Sequence, residues 1–65
     1  MFRATEYQLK AAYYASISRE WRETHIRAVV AQSDELAEIA REQSSFYARV
    51  AADFYRWARE AMGVE

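Results

Sequence analysis

The fold depends on nine residues near the middle of the chain, AVVAQSDEL at positions 28–36. Continuing the seven-residue apolar repeat of the preceding segment would place Glu35 on the apolar stripe, whereas the following segment needs Leu36 there. The phase of the repeat therefore changes here. Ser33 is a suitable N-cap residue, and the acidic residues after it suit the positive end of a helix dipole. We expect a tight turn at about residues 31–34 between two helices.

The segment before this turn has the pattern of one long amphipathic helix. Thr5 and Gln8 have the spacing of a capping box, so the helix should begin there. One residue in every three or four then falls on a single stripe, with the spacing of a heptad seam. The stripe consists of Tyr7, Ala11, Tyr14, Ser18, Trp21, His25 and Ala28. Large aromatic members alternate with mostly small ones, which predicts a helix–helix interface.

The segment after the turn keeps the same rhythm. Its expected seam consists of Leu36, Ala40, Gln43, Tyr47, Val50, Phe54, Trp57 and Ala61. Gly63 suits the left-handed residue that closes a helix. These limits predict helix 1 over about 6–31, a turn at about 32–33 and helix 2 over about 34–62. The acidic start of helix 2 should lie beside arginines of helix 1, so charge also favours a hairpin.

Two other architectures remain open at this point. The turn contains neither glycine nor proline, so the phase change is also compatible with a coiled-coil stutter in one helix of about 58 residues. A break at residues 43–45 would give a three-helix bundle. We favour an antiparallel two-helix hairpin, because the two segments are equal in length and no acidic residues follow those serines. The expected fold class is all-α, and 65 residues leave room for one domain only.

The hairpin leaves part of its apolar surface open. A second stripe on helix 1 and a small-residue flank on helix 2, including Ala37, Ser44 and Ala51, lie beside the two seams. Small residues would permit close approach of another helix. We expect a homodimer that forms an antiparallel four-helix bundle, or a different protein on the same surface. The expected partner-binding residues are Phe2, Leu9, Tyr13, Ile17, Tyr55 and Met62.

Residues that support catalysis or metal binding are sparse. The chain has no cysteine, and no acidic residue lies three or four positions from its single histidine, His25. Ser18 is about 10 Å away along the same helix, beyond hydrogen-bond reach. Glu35, Glu38 and Glu42 share a helix face, which is more typical of a solvated surface than of paired acids. We expect no catalytic residue, metal or cofactor, and we interpret His25 as a core or interface residue.

The charge pattern bears on nucleic-acid binding. Nine basic and ten acidic residues give a net charge of -1, which does not favour a polyanionic partner. Arginine, which suits phosphate contacts, supplies eight of the nine basic residues. Carboxylates lie between these arginines at helical pairing distance, which favours ion pairs on the surface over phosphate contacts. RNA or DNA binding is therefore kept as the alternative function. The residues that would serve it are Arg41, Arg49, Arg56 and Arg59.

The architecture itself offers one comparison. A helical hairpin of this length is similar, in architecture alone, to the plasmid repressor-of-primer family, and no motif of that family is shared. The resemblance implies a dimeric bundle that binds RNA.

The expected function is non-catalytic binding to a larger protein. A small helical unit without a cleft acts chiefly by occupying a surface on something larger. We expect an inhibitor or regulator of the kind encoded by phages and mobile elements, such as an anti-CRISPR protein. A structural subunit of a larger assembly is a further alternative. The first residues lack a signal-peptide pattern and no segment has the composition of a membrane span, so a cytoplasmic location is expected.

Overall fold

The computed structural model describes residues 3–63 as two antiparallel helices joined by a short turn. Helix α1 spans Arg3–Val30 and helix α2 spans Asp34–Ala61. Each has 28 residues, and the hairpin extends over 47 × 15 × 12 Å. The predicted all-α hairpin is confirmed. The two alternatives are wrong, because the chain reverses at the turn and α2 continues through residues 43–45 without a break.

The turn is closed by backbone hydrogen bonds. Gln32 has a positive φ of 61°, and the Ser33 N–H donates to the carbonyl of Ala28 at 2.8 Å, as in a Schellman closure. A β-carbon is strained in this left-handed conformation, which normally favours glycine. Ser33 occupies the N-cap position as predicted, but its side chain makes no capping hydrogen bond. Its backbone carbonyl accepts the N–H of Ala37, which is the first backbone hydrogen bond of α2.

The outer ends of the two helices differ in how well they were predicted. Helix α1 begins at Arg3, so Thr5 lies inside the helix and the expected capping box does not start it. Residues 3 and 4 are arginine and alanine, which are strong helix formers and extend the helix past that signal. At the other end Gly63 has φ 75°, and its N–H donates to the carbonyl of Glu60 at 3.1 Å. Gly63 therefore adopts the predicted left-handed conformation.

The helices contact each other through small side chains. Among the described residues no large side chain is fully buried. The Ser18 hydroxyl donates to the carbonyl of Ser44 at 2.8 Å across the interface. Small side chains let two helix backbones approach closely, so packing of Cβ atoms and backbone replaces a core of large residues. The buried residues are Ala11, Ser18, Ala28, Ala37, Ala40, Ala51 and Ala58.

The seam predicted for α2 is wrong at alternate positions. Leu36 and Trp57 were expected to face α1, but they are 42% and 38% exposed. Residues from the small flank that was expected to receive another helix, such as Ala37 and Ala51, are buried against α1 instead. Alanine permits a closer helix contact than leucine or tryptophan, so the large residues pack beside the contact. The α2 positions that face α1 are Ala37, Ala40, Ser44, Tyr47, Ala51, Phe54 and Ala58.

Ion pairs do not hold the helices together in the way the charge pattern suggested. Within residues 3–63, both ion pairs lie inside α2. Glu38 pairs with Arg41 at 2.7 Å and Asp53 with Arg56 at 3.4 Å. The expected attraction between the acidic start of α2 and the arginines of α1 is therefore not seen. Exposed pairs one helical turn apart support the helix that carries them and contribute little to tertiary packing.

Replacing Ala51 with leucine should lower the free energy of unfolding by about 1–3 kcal/mol, because the added carbons must push the helices apart. Ala51 is 4% exposed, whereas its neighbour Ala52 is exposed. Ala52→Leu is the matched control and should change stability by less than about 0.5 kcal/mol. Urea unfolding followed by circular dichroism measures both. Equal losses at the two positions would contradict the alanine interface.

Replacing Gln32 with glycine should raise the free energy of unfolding by about 0.5 kcal/mol, because relief of left-handed strain outweighs the added freedom of the unfolded chain. Gln43→Gly, inside α2, is the control and should lower it by about 0.5–1 kcal/mol. Thermal melts of the two variants against the parent chain test the turn. A loss of stability in both would rule out strain at Gln32.

Candidate functional site

Most of the described aromatic side chains, with several large aliphatic ones, lie on one flank of the hairpin, which we call the aromatic face. Helical spacing places them on the same side of both helices, next to the alanine contact. Those nearest the alanine contact are half-buried between the helices, and those further out on α2 are exposed. The residues of the aromatic face are Tyr7, Tyr14, Ile17 and Trp21 from α1 and Leu36, Ile39, Phe46, Tyr47, Val50, Phe54 and Trp57 from α2.

Ring contacts join the two helices across the aromatic face. Tyr14 stacks on Tyr47 and on Phe54, with centroid distances of 6.0 and 5.7 Å and interplanar angles of 9° and 6°. Tyr7 lies 6.0 Å from Phe54 and 6.1 Å from Trp57 in tilted arrangements. These separations lie in the range of favourable aromatic pairs. The rings thus bridge α1 and α2 on one side of the alanine contact.

The outer surface of the aromatic face is open. Phe46 is 53% exposed and Ile39 is 49% exposed. Both lie on the side of α2 that carries Leu36 and Trp57, so four large apolar residues form one exposed row. Solvated rows of this kind are typical of interaction surfaces.

The opposite flank carries a shallow groove between the helices, which we call the arginine groove. Three adjoining depressions form it. The central depression has a floor of small residues, including Ala15, Ala48 and Ala52. It shares Arg22 with the depression near the turn, and it shares Ala52 and Tyr55 with the depression near the chain ends. The groove therefore runs along most of the hairpin.

Positive charge lines the arginine groove. Its lining includes Arg19 and Arg22 from α1 and Arg41 and Arg59 from α2. No carboxylate is among its described lining residues. Arg41 alone of these four has a carboxylate within ion-pair distance in residues 3–63, namely Glu38. The hydrogen bond from Arg41, together with its positive charge, holds the pKa of Glu38 below the ordinary value. The same hydrogen bond and the negative charge of Glu38 raise the pKa of Arg41.

His25 is part of the helix interface. Its Nδ1 lies 2.9 Å from the backbone carbonyl oxygen of Ala37, and since a carbonyl only accepts, the proton is on Nδ1. His25 and Ser44 line the same depression, and the Ser44 hydroxyl lies 3.5 Å from that of Ser18. Within residues 3–63, no three histidine, aspartate or glutamate side chains are close enough together to hold a metal ion. Neither described helix combines the length and apolarity that crossing a bilayer requires.

The residues expected to bind a partner do not form one surface. Ile17 belongs to the aromatic face, and Tyr13 adjoins it through an edge contact with Tyr14 at 5.2 Å. Leu9 is 67% exposed and lies about 200° around α1 from buried Ala11, away from the interface. Leu9, Tyr13 and Ile17 are spaced four residues apart, so they share one side of α1, which borders the aromatic face at Ile17 and turns away from α2 at Leu9.

The remaining expected partner residues lie at other places. Tyr55 lines the arginine groove. Met62 is the C-cap residue of α2 and is 51% exposed. Phe2 lies outside the described residues.

The four arginines of the nucleic-acid alternative are divided between surfaces. Arg41 and Arg59 line the groove. Arg56 pairs with Asp53, with its guanidinium carbon 6.0 Å from the Trp57 ring centroid. Arg49 is exposed and is not among the groove residues described above. Arg19 and Arg22 were expected to lie beside the acidic start of helix 2, not to bind a partner, because the predicted seam turned a different side of α2 toward them.

The Glu38–Arg41 pair makes a pH-dependent contribution. A carboxyl whose pKa is lowered on folding stabilises the fold above its ordinary pKa, 4.5, and loses that contribution as the pH falls through the lowered value. The melting temperature of Glu38→Gln should therefore be slightly lower than that of the parent chain at neutral pH. In strong acid the two melting temperatures should be the same. A double-mutant cycle with Arg41→Gln separates the pair from the helix dipole. An unchanged difference in acid would show that the pair is not its source.

Comparisons of the chain with known proteins found no similarity. No family model, no curated protein and no solved structure matches it. The architectural resemblance to the repressor-of-primer family is accordingly not accompanied by a structural match. The aromatic face and the arginine groove are interpreted from their own chemistry.

Proposed function

We propose that this chain is a non-catalytic helical interaction protein that acts through its surface. The observation that carries the proposal is the absence of any large side chain from the buried positions of residues 3–63, together with the exposed apolar row on the aromatic face. Burial of apolar area is the main favourable term in folding and association. Covering the aromatic face with protein would supply the layer that a two-helix hairpin lacks.

A second copy of the chain is the occupant that we propose for the aromatic face, giving a four-helix bundle. The hairpin has 5128 Å² of accessible surface. A compact monomer of 7.7 kDa has about 4,300 Å² by the usual size scaling, which leaves about 800 Å² in excess. One partner in a standard interface covers about 800 Å². Two hairpins of 47 × 15 × 12 Å, packed side by side, would also form a less elongated body.

In this proposal the assembled bundle regulates or inhibits a larger protein by occupying part of its surface in the cytoplasm. Small size and an all-helical architecture support this role, and both suit the short regulators encoded by phages and mobile elements. Binding by rigid helix faces requires no catalytic group.

Sedimentation equilibrium at micromolar concentration should give about twice the monomer mass of 7.7 kDa, as expected for a two-fold symmetric assembly. Phe46→Glu places a charge in the exposed row of the aromatic face and should give a folded or partly unfolded monomer. Leu9→Glu makes the same type of change at a more exposed residue off this face and should leave the dimer intact.

The pair of variants also separates two surfaces. Loss of the dimer in Leu9→Glu alone would assign self-association to the stripe first expected on helix 1. A parent chain that stays monomeric and well folded, by circular dichroism and sedimentation together, would overturn the proposed bundle.

A further inference from the structure

We infer that the arginine groove binds an acidic α-helix of a partner protein, with carboxylates on the arginines of its rims and a stripe of small residues on its alanine floor. The inference rests on the proposed function in one respect, that a second copy covers the aromatic face and leaves this groove to another protein. It concerns a different flank of the hairpin and a different occupant.

The floor of the groove suits a helix. Ala15, Ala48 and Ala52 present no atom beyond Cβ, so the backbone of a third helix can approach closely, as α1 and α2 approach each other. Arg41 and Arg59, near the two ends of the groove, are 18 residues apart on α2, which corresponds to about 27 Å of helix rise. A partner helix of about five turns would fill this length.

The rims of the groove select for negative charge. Arg19 and Arg22 stand on the α1 side, with Arg41 and Arg59 on the α2 side. Among residues 3–63, three of these arginines have no carboxylate within ion-pair distance. The chain has a net charge of -1, so this concentration of positive charge is local. Guanidinium groups bind carboxylates through two parallel hydrogen bonds, which favours aspartate and glutamate on the flanks of the incoming helix.

A protein helix fits this surface better than a nucleic acid does. The alanine floor offers apolar contact, which a sugar–phosphate backbone does not use. Glu38, which pairs with Arg41 and lies outside the groove lining, would meet a wide polyanion laid across the hairpin. A helix lying between the rims, by contrast, can place its carboxylates on Arg19, Arg22 and Arg59. A single helix is narrow enough to lie between the arginine rims.

Two synthetic helical peptides of about 21 residues test the inference. Both carry an alanine stripe, flanked in one peptide by glutamates and in the other by lysines. Fluorescence anisotropy near 150 mM salt should show saturable binding of the glutamate peptide and none of the lysine peptide. An RNA strand and an RNA duplex of about 20 nucleotides serve as further probes, and tighter binding of either RNA would overturn the inference in favour of a nucleic-acid site.

Matched variants locate the binding. Arg22→Glu with Arg59→Glu should weaken binding of the glutamate peptide by about tenfold or more, because two rim charges are reversed. Arg49→Glu with Arg56→Glu changes the net charge equally outside the groove and should leave affinity within about twofold. Equal losses in the two double variants would mean non-specific attraction and would overturn the groove assignment.

A change in the floor completes the test. Ala52→Leu fills the groove without touching the buried interface, so it should weaken peptide binding about tenfold or more while the fold persists. Unchanged binding in Ala52→Leu would overturn the inference. Sedimentation of the same samples keeps the two proposals apart. A monomer that still binds the glutamate peptide contradicts the proposed dimer alone, and a dimer that does not bind it contradicts the groove alone.

Discussion

Contact between small side chains is the constraint on which the rest of this hairpin depends. The buried side chains that join α1 to α2 are alanines and Ser18, so the helices approach closely along their length. The rings of Tyr14, Tyr47 and Phe54 pack at the edge of this contact and are only half-buried. Most of the described aromatic residues lie along one side of this seam, and the molecule presents an aromatic face and an arginine groove on opposite sides of it.

An alanine contact by itself does not specify how the helices align along their axes, because its surface is smooth. Directional interactions supply the register. Ser18 bonds to the carbonyl of Ser44, His25 bonds to the carbonyl of Ala37, and Tyr14 stacks on two rings of α2. Each such hydrogen bond stabilises a fold by about 1 kcal/mol. Together they hold the antiparallel alignment that the short turn begins.

The two flanks differ in the chemistry they present, which is why we assign them different occupants. The aromatic face is apolar and extends along both helices, and the proposed second copy would remove it from water without needing a charged partner. The arginine groove has a shallow apolar floor and positively charged rims, so it suits a narrow partner of opposite charge. The proposed dimer would use one flank and leave the other open, so the two proposed associations can be tested separately.

Local chemistry in the sequence determined the two helices and the place of the turn, because helix propensity, the N-cap position of Ser33 and the left-handed Gly63 act within a few residues. It did not determine which stripe of α2 faces α1. The stripe that begins at Leu36 and the one that begins at Ala37 repeat with the same heptad spacing, so periodicity alone cannot separate them. Only the tertiary structure decided this, since closeness of the backbones favours alanine at the contact. That choice placed arginines from both helices around one groove.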